Sequence, residues 1–214
     1  MFSELSSRAT ASDQGPGVSS SREGSGVSRL TAAGLVVRCV REPGGTLVGE
    51  AVREILLDPA HEGLDARAEL LLYEAARAQH TAEVIEPALA AGEIVLCDRY
   101  FDSSTAYQGY ARGLPLEEVA ALNHAATGGL MPERTLVLDV DPGLGVERAT
   151  HGGADRLENE DAAFHRRVRE GYLAIASADP RRVRVVDGRG SIGEVAERIT
   201  AALADLPALS GVLG

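Results

Sequence analysis

The hydrophobic pattern of the chain changes near residue 30. The first 28 residues are rich in Ser and Gly and show almost no apolar periodicity, which is typical of a flexible segment. Beyond them, short apolar runs alternate with longer stretches of helical period. We therefore predict one domain over residues 29–206, preceded by a degenerate N-terminal segment over 1–28 and followed by a tail over 207–214.

The alternation itself predicts the fold class. Short apolar runs typical of β-strands lie at 35–40, 93–97, 135–140 and 183–187. Patterns typical of α-helices lie at 46–57, 66–91, 115–127, 143–150, 160–178 and 191–205. Strands that alternate with helices favour an α/β fold, in which helices cover both faces of a parallel sheet.

Composition narrows the function classes. The 214 residues and 44% hydrophobic content suit one compact domain. A net charge of −11 makes a nucleic-acid polymer a poor partner. No run reaches the ~20 apolar residues of a membrane helix, and the N-terminus lacks a secretion signal pattern, so we expect a cytoplasmic protein without a membrane partner.

Basic and sulfur-containing residues add two constraints. All 21 basic residues are arginine, so no lysine ammonium is available for catalysis. Cys39 and Cys97 each end an apolar run, which predicts buried strand thiols rather than a disulfide or a zinc site.

Charged residues follow two of the predicted strands. Arg41 opens a Gly-rich turn after the first strand, and Asp98 and Arg99 follow the second. The carboxyl ends of parallel strands meet at one edge, where such folds bind ligands. The planar fork of Arg99 can bind a phosphate, and Asp98 can orient that arginine or order a magnesium-bound water. The alternative is an ion pair that fixes a loop.

A second candidate site lies on the helix over 66–91. Tyr73 and Arg77 are four residues apart and share one helix face, an arrangement that suits a nucleobase. The alternative is a core aromatic residue beside a surface arginine. His80 is predicted to be solvated or to cap a helix end.

Polar side chains are concentrated just after residue 101. Ser103, Ser104, Tyr107 and Gln108 could bind a sugar and a base edge. The alternative, which can hold at the same time, is a helix capped by Asp102 or Ser103.

Arginines and glycines mark a predicted lid. The stretch 148–169 contains five arginines around a glycine pair at 152–153, which fits a mobile segment that closes over phosphates. We assign this role only to Arg148 and Arg156, because we expect the other arginines to form surface ion pairs with acidic neighbours.

Five strings together resemble bacterial thymidylate kinases. They are REPGGT (41–46), RAQH (77–80), DRY (98–100), DSSTAYQG (102–109) and DRLE (155–158), in matching order from about residue 30 to 205. The resemblance implies the P-loop nucleoside monophosphate kinase fold. It also implies phosphorylation of dTMP to dTDP with ATP and Mg²⁺, in a homodimer.

The resemblance assigns roles to individual residues. Tyr73 takes the place of the usual phenylalanine that stacks on thymine, and Arg77 binds a thymine carbonyl. Ser104 contacts the base, Tyr107 contacts the deoxyribose, and Arg99 binds the phosphate. The implied substrate-binding set is Pro43, Arg53, Tyr73, Arg77, Arg99, Ser103, Ser104, Tyr107 and Gln108.

The remaining roles concern catalysis and ATP. Asp98, Arg99 and Arg156 form the implied catalytic set, and Asp98 also serves magnesium. The implied ATP-binding set is Gly24, Ser25, Gly26, Ser28 and Arg148.

The phosphate loop departs from the family pattern G-x-x-x-x-G-K-[ST]. Ser21 replaces the first glycine and Val27 replaces the lysine, and only Gly26 and Ser28 fit. The residues before the loop lack a buried-strand pattern. A misread N-terminal coding region is one explanation, and an impaired protein that binds nucleotide without turnover is another. Because Tyr73 departs from phenylalanine, a different monophosphate is a third hypothesis.

Overall fold

The computed structural model describes residues 26–140, 155–209 and 212. The strands are β1 (Val37–Arg41), β2 (Ile94–Asp98), β3 (Thr135–Asp139) and β4 (Val183–Asp187). The helices are α1 (Gly26–Ala32), α2 (Leu47–Leu57), α3 (Ala66–His80), α4 (Glu86–Ala90), α5 (Phe101–Ser104), α6 (Leu116–Thr127), α7 (Ala162–Ala178) and α8 (Ile192–Leu203). No helix among these described residues is long and apolar enough to cross a membrane.

Wider and tighter turns complete these elements. A π-helical stretch over Thr81–Ile85 joins α3 to α4, and another over Thr105–Ala111 continues α5. Single 3₁₀ turns lie at Pro59–His61 and Pro207–Leu209.

The predicted elements are confirmed within the described residues. Each of the four strands lies within two residues of its predicted bounds. The predicted helix over 66–91 corresponds to α3, the π-helical stretch and α4. The helix predicted over 143–150 lies outside the described residues.

Side-chain caps explain where several helices begin. Thr46 accepts a hydrogen bond from the Gly49 backbone N–H at the start of α2. Asp65 and Asp161 cap α3 and α7 in the same way, and Ser191 forms a capping box at the start of α8. Such caps satisfy amide groups that the helix itself leaves unpaired.

The cap predicted after β2 is wrong. Helix α5 begins at Phe101, its N-cap is Tyr100, and no side chain caps it. Asp102 lies inside the helix and accepts hydrogen bonds from Arg182 at 2.7 and 2.9 Å. Long-range pairing with Arg182 therefore replaces the local cap that the sequence suggested.

The described strands form two parallel pairs. Strands β1 and β2 pair with Arg41 opposite Asp98, and β3 and β4 pair with Asp139 opposite Asp187. The predicted parallel direction is confirmed. No ladder joins the two pairs within the described part of the chain. The first strand that the resemblance implies would precede residue 26 and lies outside the described residues.

The main core lies between α7 and the π-helical stretch after α5. Phe164, Val168 and Tyr172 of α7 are buried there with Tyr107. The Tyr107 ring meets the Phe164 ring edge-on at 6.0 Å and the Tyr172 ring at 6.4 Å. This packing fixes the position of Tyr107 next to the end of β2.

The prediction of two buried thiols is wrong for Cys39. Cys39 is exposed. Cys97 is partly buried, and its thiol donates to the Arg99 carbonyl at 2.9 Å. Burial raises the pKa of the Cys97 thiol well above its usual value.

Candidate active site

The turn after β1 is fixed by arginines from two elements. The Pro43 carbonyl accepts hydrogen bonds from Arg41 Nη1 and Arg53 Nη1, both at 3.0 Å. Gly45 has a φ of 81°, and a Cβ at this position would lie 2.9 Å from the His80 ring. Only glycine satisfies both conditions, so the turn lies directly against α3.

His80 is buried beneath this turn, so the prediction of a solvated or capping histidine is wrong. Its side chain is 0% exposed, and its Nδ1 lies 3.1 Å from Glu42 Oε1. The helical path continues beyond His80 through the π-helical stretch, so this residue is not at an exposed helix end. Glu42 and His80 thereby connect the turn to α3.

Arg99 follows β2 with an unusual backbone conformation. Its φ of 66° is the only positive φ of a non-glycine residue in the part of the chain that the structure describes. Such a conformation costs about 1–3 kcal/mol and is often found at functional sites. The guanidinium carbon lies 5.2 Å from the centre of the Tyr107 ring. The left-handed turn thus directs the arginine toward the aromatic core.

Tyrosines surround the Arg99 guanidinium. Tyr107 has the largest effect and raises the pKa of Arg99, and Tyr172 and Tyr73 raise it further. Burial raises the pKa of Tyr73 and of Tyr172 above the usual value. The arginine therefore stays charged and the phenols stay neutral at physiological pH.

Arg77 is held by two carboxylates and a hydroxyl. Its Nε donates to Glu42 Oε2 at 2.8 Å, and its Nη1 donates to Glu74 Oε1 at 2.5 Å and to Ser104 Oγ at 2.9 Å. Burial lowers the pKa of Arg77, but Glu42 and Glu74 raise it by more. Arg77 is only 2% exposed, so the alternative prediction of a surface arginine is wrong.

One cavity brings together all of the residues that the resemblance assigned to the monophosphate. It is lined by Pro43, Arg53, Tyr73, Arg77, Arg99, Ser103, Ser104, Tyr107 and Gln108. These residues come from the turn after β1, from α2 and α3, and from the segment after β2. They are far apart in sequence and share one cavity, which is typical of a site for a small molecule. Their individual binding roles stay predictions.

The other predicted residues are placed differently. Asp98 is exposed at the end of β2 and does not line the cavity. Gly26 and Ser28 lie in α1. Gly24, Ser25 and Arg148 lie outside the described residues.

Arg156 forms a buried connection outside the cavity lining. Its Nε donates to the Leu56 carbonyl at 2.8 Å, and its Nη2 lies 2.6 Å from Glu69 Oε2. Glu69 also accepts from Gln108 at 2.8 Å and from Arg112 at 3.0 and 3.2 Å. Arg156 therefore positions the chain after residue 155 against α2 and α3, while its proposed catalytic role stays a prediction.

Sequence reasoning missed six residues of the cavity: Glu42, Leu57, Asp155, Leu157, Glu158 and His165. Asp155 Oδ1 accepts the backbone N–H groups of Leu157 and Glu158 at 2.9 and 2.8 Å. Burial is the main cause of a lowered pKa at His165. Glu42 belongs to a string already singled out, so its position was a usable signal, whereas His165 gave no local signal.

Comparison with known proteins decides the family. The family model described as "Thymidylate kinase" matches residues 26–199. The chain belongs to the thymidylate kinase family. A thymidylate kinase from Synechococcus sp. (strain JA-2-3B'a(2-13)) is 52% identical over 175 residues, which cover 81% of this chain and 82% of the relative. A thymidylate kinase from Deinococcus radiodurans is 51% identical over 179 residues, or 83% and 86% of the two chains.

A solved structure agrees with this membership. The crystal structure of thymidylate kinase from Ehrlichia chaffeensis superposes with a TM-score of 0.63 at 34% sequence identity, and the match covers 78% of this chain and 79% of the other. The expected α/β fold is therefore confirmed.

Asp98, which the resemblance assigned to magnesium, and Ser28, which it assigned to ATP, carry oxygen atoms that would suit the ion; both roles stay predictions. The exposed Asp98 carboxylate makes no hydrogen bond to any other part of the described chain. Carboxylate and hydroxyl oxygens are the ligands that Mg²⁺ prefers. Val27 in α1 stands where the family pattern has its loop lysine, and the sequence contains no lysine.

Proposed function

We propose that this protein transfers the γ-phosphoryl group of ATP to dTMP, forming dTDP for dTTP synthesis in the cytoplasm. The supporting observation is the single cavity in which two arginines, Arg53 and Arg99, meet the pair formed by Tyr73 and Arg77. The two arginines suit the phosphate of a monophosphate, and Tyr73 with Arg77 suits a pyrimidine base. Similarity to proteins named thymidylate kinase supports the same conclusion.

The phosphate end of the site uses guanidinium groups. Arg53 and Arg99 can each bind phosphate oxygens through a planar fork of N–H donors. Burial lowers the pKa of Arg53 more than its acidic neighbours raise it, yet arginine remains charged at any physiological pH. Phosphoryl transfer requires alignment and charge neutralisation rather than a covalent nucleophile. Two fixed arginines therefore suit this chemistry.

The sugar and base lie further along the same cavity in this proposal. The Tyr73 ring offers an aromatic face on which the base can stack, and Tyr107 is positioned by its core packing to contact the deoxyribose. Because both rings are held before the nucleotide arrives, little side-chain entropy is lost on binding.

Magnesium and the ATP phosphates would lie near β2 and α1. Bound Mg²⁺ neutralises phosphate charge and orients the phosphoryl donor. Asp98 is the residue that we expect to hold the ion or to order its waters. Ser28 would supply a hydroxyl from the start of α1.

A coupled assay of ADP release tests the proposed function. Purified protein is given ATP, Mg²⁺ and one of dTMP, dUMP, dGMP or CMP. We expect turnover that depends on both ATP and dTMP and is fastest with dTMP. Saturable dTMP binding without turnover would instead support a nucleotide-binding protein that has lost catalysis. Preferred turnover of another nucleotide would indicate a different monophosphate kinase, and a lack of both binding and turnover would refute the proposal.

We also propose that the protein is a homodimer, as the family resemblance implies. Leu47, Ala51 and Ile55 recur every four residues on α2 and are exposed, Leu47 to 94%. Helix α3, which packs against α2, exposes Leu71 to 49%. A second copy of the chain would cover this apolar surface. We expect Ile55→Glu to shift the mass measured by light scattering from dimer to monomer, and a monomeric wild-type protein would refute the assignment.

A further inference from the structure

We infer that Glu74 determines which pyrimidine the cavity accepts, by fixing Ser104 as a hydrogen-bond acceptor. The inference rests on the proposed function, because it concerns the base end of the same nucleotide site. It adds a positioning residue that contacts other side chains rather than the nucleotide itself.

Three side chains form a closed triangle of hydrogen bonds. Ser104 Oγ donates to Glu74 Oε1 at 2.8 Å, and Arg77 Nη1 donates to the same carboxylate oxygen at 2.5 Å. Arg77 Nη1 also donates to Ser104 Oγ at 2.9 Å. All three residues are at most 5% exposed, so water does not compete for these bonds.

The triangle determines the direction of the Ser104 hydroxyl. A serine hydroxyl has one proton and two lone pairs. The arginine has no lone pair to offer, so the proton of Ser104 points to the Glu74 carboxylate. One lone pair accepts from Arg77, and the second lone pair remains. Ser104 can therefore only accept a hydrogen bond from a ligand.

Arg77 provides a donor beside this acceptor. Its Nε and Nη1 are engaged by Glu42, Glu74 and Ser104, and Nη1 also donates to Asn123 Oδ1 at 3.4 Å. Its Nη2 makes no hydrogen bond to the rest of the described chain. Both Arg77 and Ser104 line the cavity. The base end thus presents one donor and one acceptor side by side.

This pair matches thymine and uracil and does not match cytosine. Thymine and uracil carry a carbonyl oxygen at C4 next to an N–H at N3. Cytosine carries an amino group at C4 next to an unprotonated N3, so both polarities are reversed. A site built to form specific hydrogen bonds rejects an analogue strongly, because its own buried polar groups are then left unpaired.

Glu74 is suited to a selective test because its polar contacts are few. Its second oxygen, Oε2, is buried and has no hydrogen-bond partner among the described residues. Removing the carboxylate therefore disturbs only Arg77 and Ser104, while Glu42 still holds Arg77. Without Glu74, the Ser104 hydroxyl can rotate and donate its proton to N3 of cytosine.

The test compares dUMP with dCMP, which differ only at this edge of the base. Dissociation constants are measured by calorimetry for the wild-type protein, Glu74→Ala and Glu74→Gln. Glu118→Gln serves as the control, because it removes a carboxylate from the exposed pair with Arg67. We expect the wild-type protein to prefer dUMP by roughly 100-fold or more.

The ratio of the dissociation constant of dCMP to that of dUMP decides whether the inference holds. We expect this ratio to fall about tenfold in Glu74→Ala, which is the size of effect expected for the loss of one hydrogen bond. Part of the change should come from tighter binding of dCMP. Glu74→Gln keeps the side-chain size and weakens the acceptor, so a smaller fall, about threefold, is expected; it decides the question if the alanine variant does not fold. Glu118→Gln should leave the ratio unchanged.

Two results would overturn the inference alone. One is a parallel loss of affinity for both nucleotides with an unchanged ratio, which would mean that Glu74 has only a structural role. The other is a wild-type protein that binds dUMP and dCMP equally. A wild-type protein that binds neither of them nor dTMP would refute the proposed function itself.

Discussion

Replacement of Glu69 by glutamine should destabilise the protein strongly. Glu69 is 0% exposed and its carboxylate accepts hydrogen bonds from Gln108 and Arg112 and pairs with Arg156. Glutamine has a similar shape but removes the negative charge from between two arginines. One of these, Arg156, has a side chain only 2% exposed, whereas the Arg112 side chain is 19% exposed. Water cannot reach the buried guanidinium of Arg156, so its unpaired charge should cause most of the loss of stability.

Breaking a buried ion pair by removing one partner costs about 3–5 kcal/mol. A typical folded domain is stable by about 5–15 kcal/mol, so Glu69→Gln should lose a large part of the total. The loss is measured by urea unfolding at pH 7, followed by circular dichroism. Glu118→Gln is the control, because its partner Arg67 is exposed, and its free energy of unfolding should stay close to the wild-type value.

The same carboxylate makes stability depend on pH. Burial raises the pKa of Glu69, but Arg112, Gln108 and Arg156 lower it by more, so the pKa lies below its usual 4.5. The stabilisation is fully present above that usual value and is lost as the pH falls through the lowered pKa. The difference in unfolding free energy between wild type and Glu69→Gln should therefore shrink on acidification below about pH 4.5.

Two further outcomes are expected if the cluster around Glu69 is free of water. Combining Glu69→Gln with Arg156→Met should recover part of the lost stability, because the unpaired buried charge is then gone. If Glu69→Gln cost no more than Glu118→Gln, the cluster would have to be hydrated, and our account of it would be refuted.

Three further variants test the two proposed phosphate contacts and the turn after β1. Arg99→Ala should abolish dTMP binding in calorimetry, and unchanged affinity would remove the phosphate-site assignment. Val27→Lys should raise turnover in the ADP-release assay by restoring a donor to the transferred phosphate, an effect of up to roughly 10²–10³; unchanged turnover would mean that the loop departs from the family by more than this residue. Gly45→Ala should lower the melting temperature and weaken dTMP binding, because its Cβ would clash with His80; a variant equal to wild type in both would contradict the close contact.

The fold was predictable where local pattern and long-range structure agree. The strand ending at Asp98 and the helix containing Tyr73 were recognised because apolar periodicity reports burial directly. The cap predicted at Asp102 is absent, because Asp102 instead forms an ion pair with Arg182, which is 80 residues away. The exposure of Cys39 was not predicted, because an apolar run does not show which face of a strand is covered by a helix.

The site was predictable to the extent that its residues lie in recognisable strings. Arg77 and Ser104 were identified in this way, but their connection through Glu74 was not, because it joins two helices. His80 was misjudged because polarity alone suggested exposure, whereas its partner Glu42 makes burial favourable. Pairings that form only on folding were the part that sequence could not supply.

The placement of Arg77 between Glu42 and Glu74 has a consequence for the response to salt. The three side chains carry a combined charge of −1, so this end of the cavity does not attract anions, and its contacts with a base are short-range and dipolar. Dissolved ions screen the attraction between phosphate and arginine over a Debye length of about 8 Å at physiological ionic strength. Rising ionic strength should thus weaken the binding of all nucleoside monophosphates by a common factor and leave the order of preference among bases unchanged. The fraction of protein that holds a nucleotide would then depend on the salt concentration, while the selectivity between bases would not.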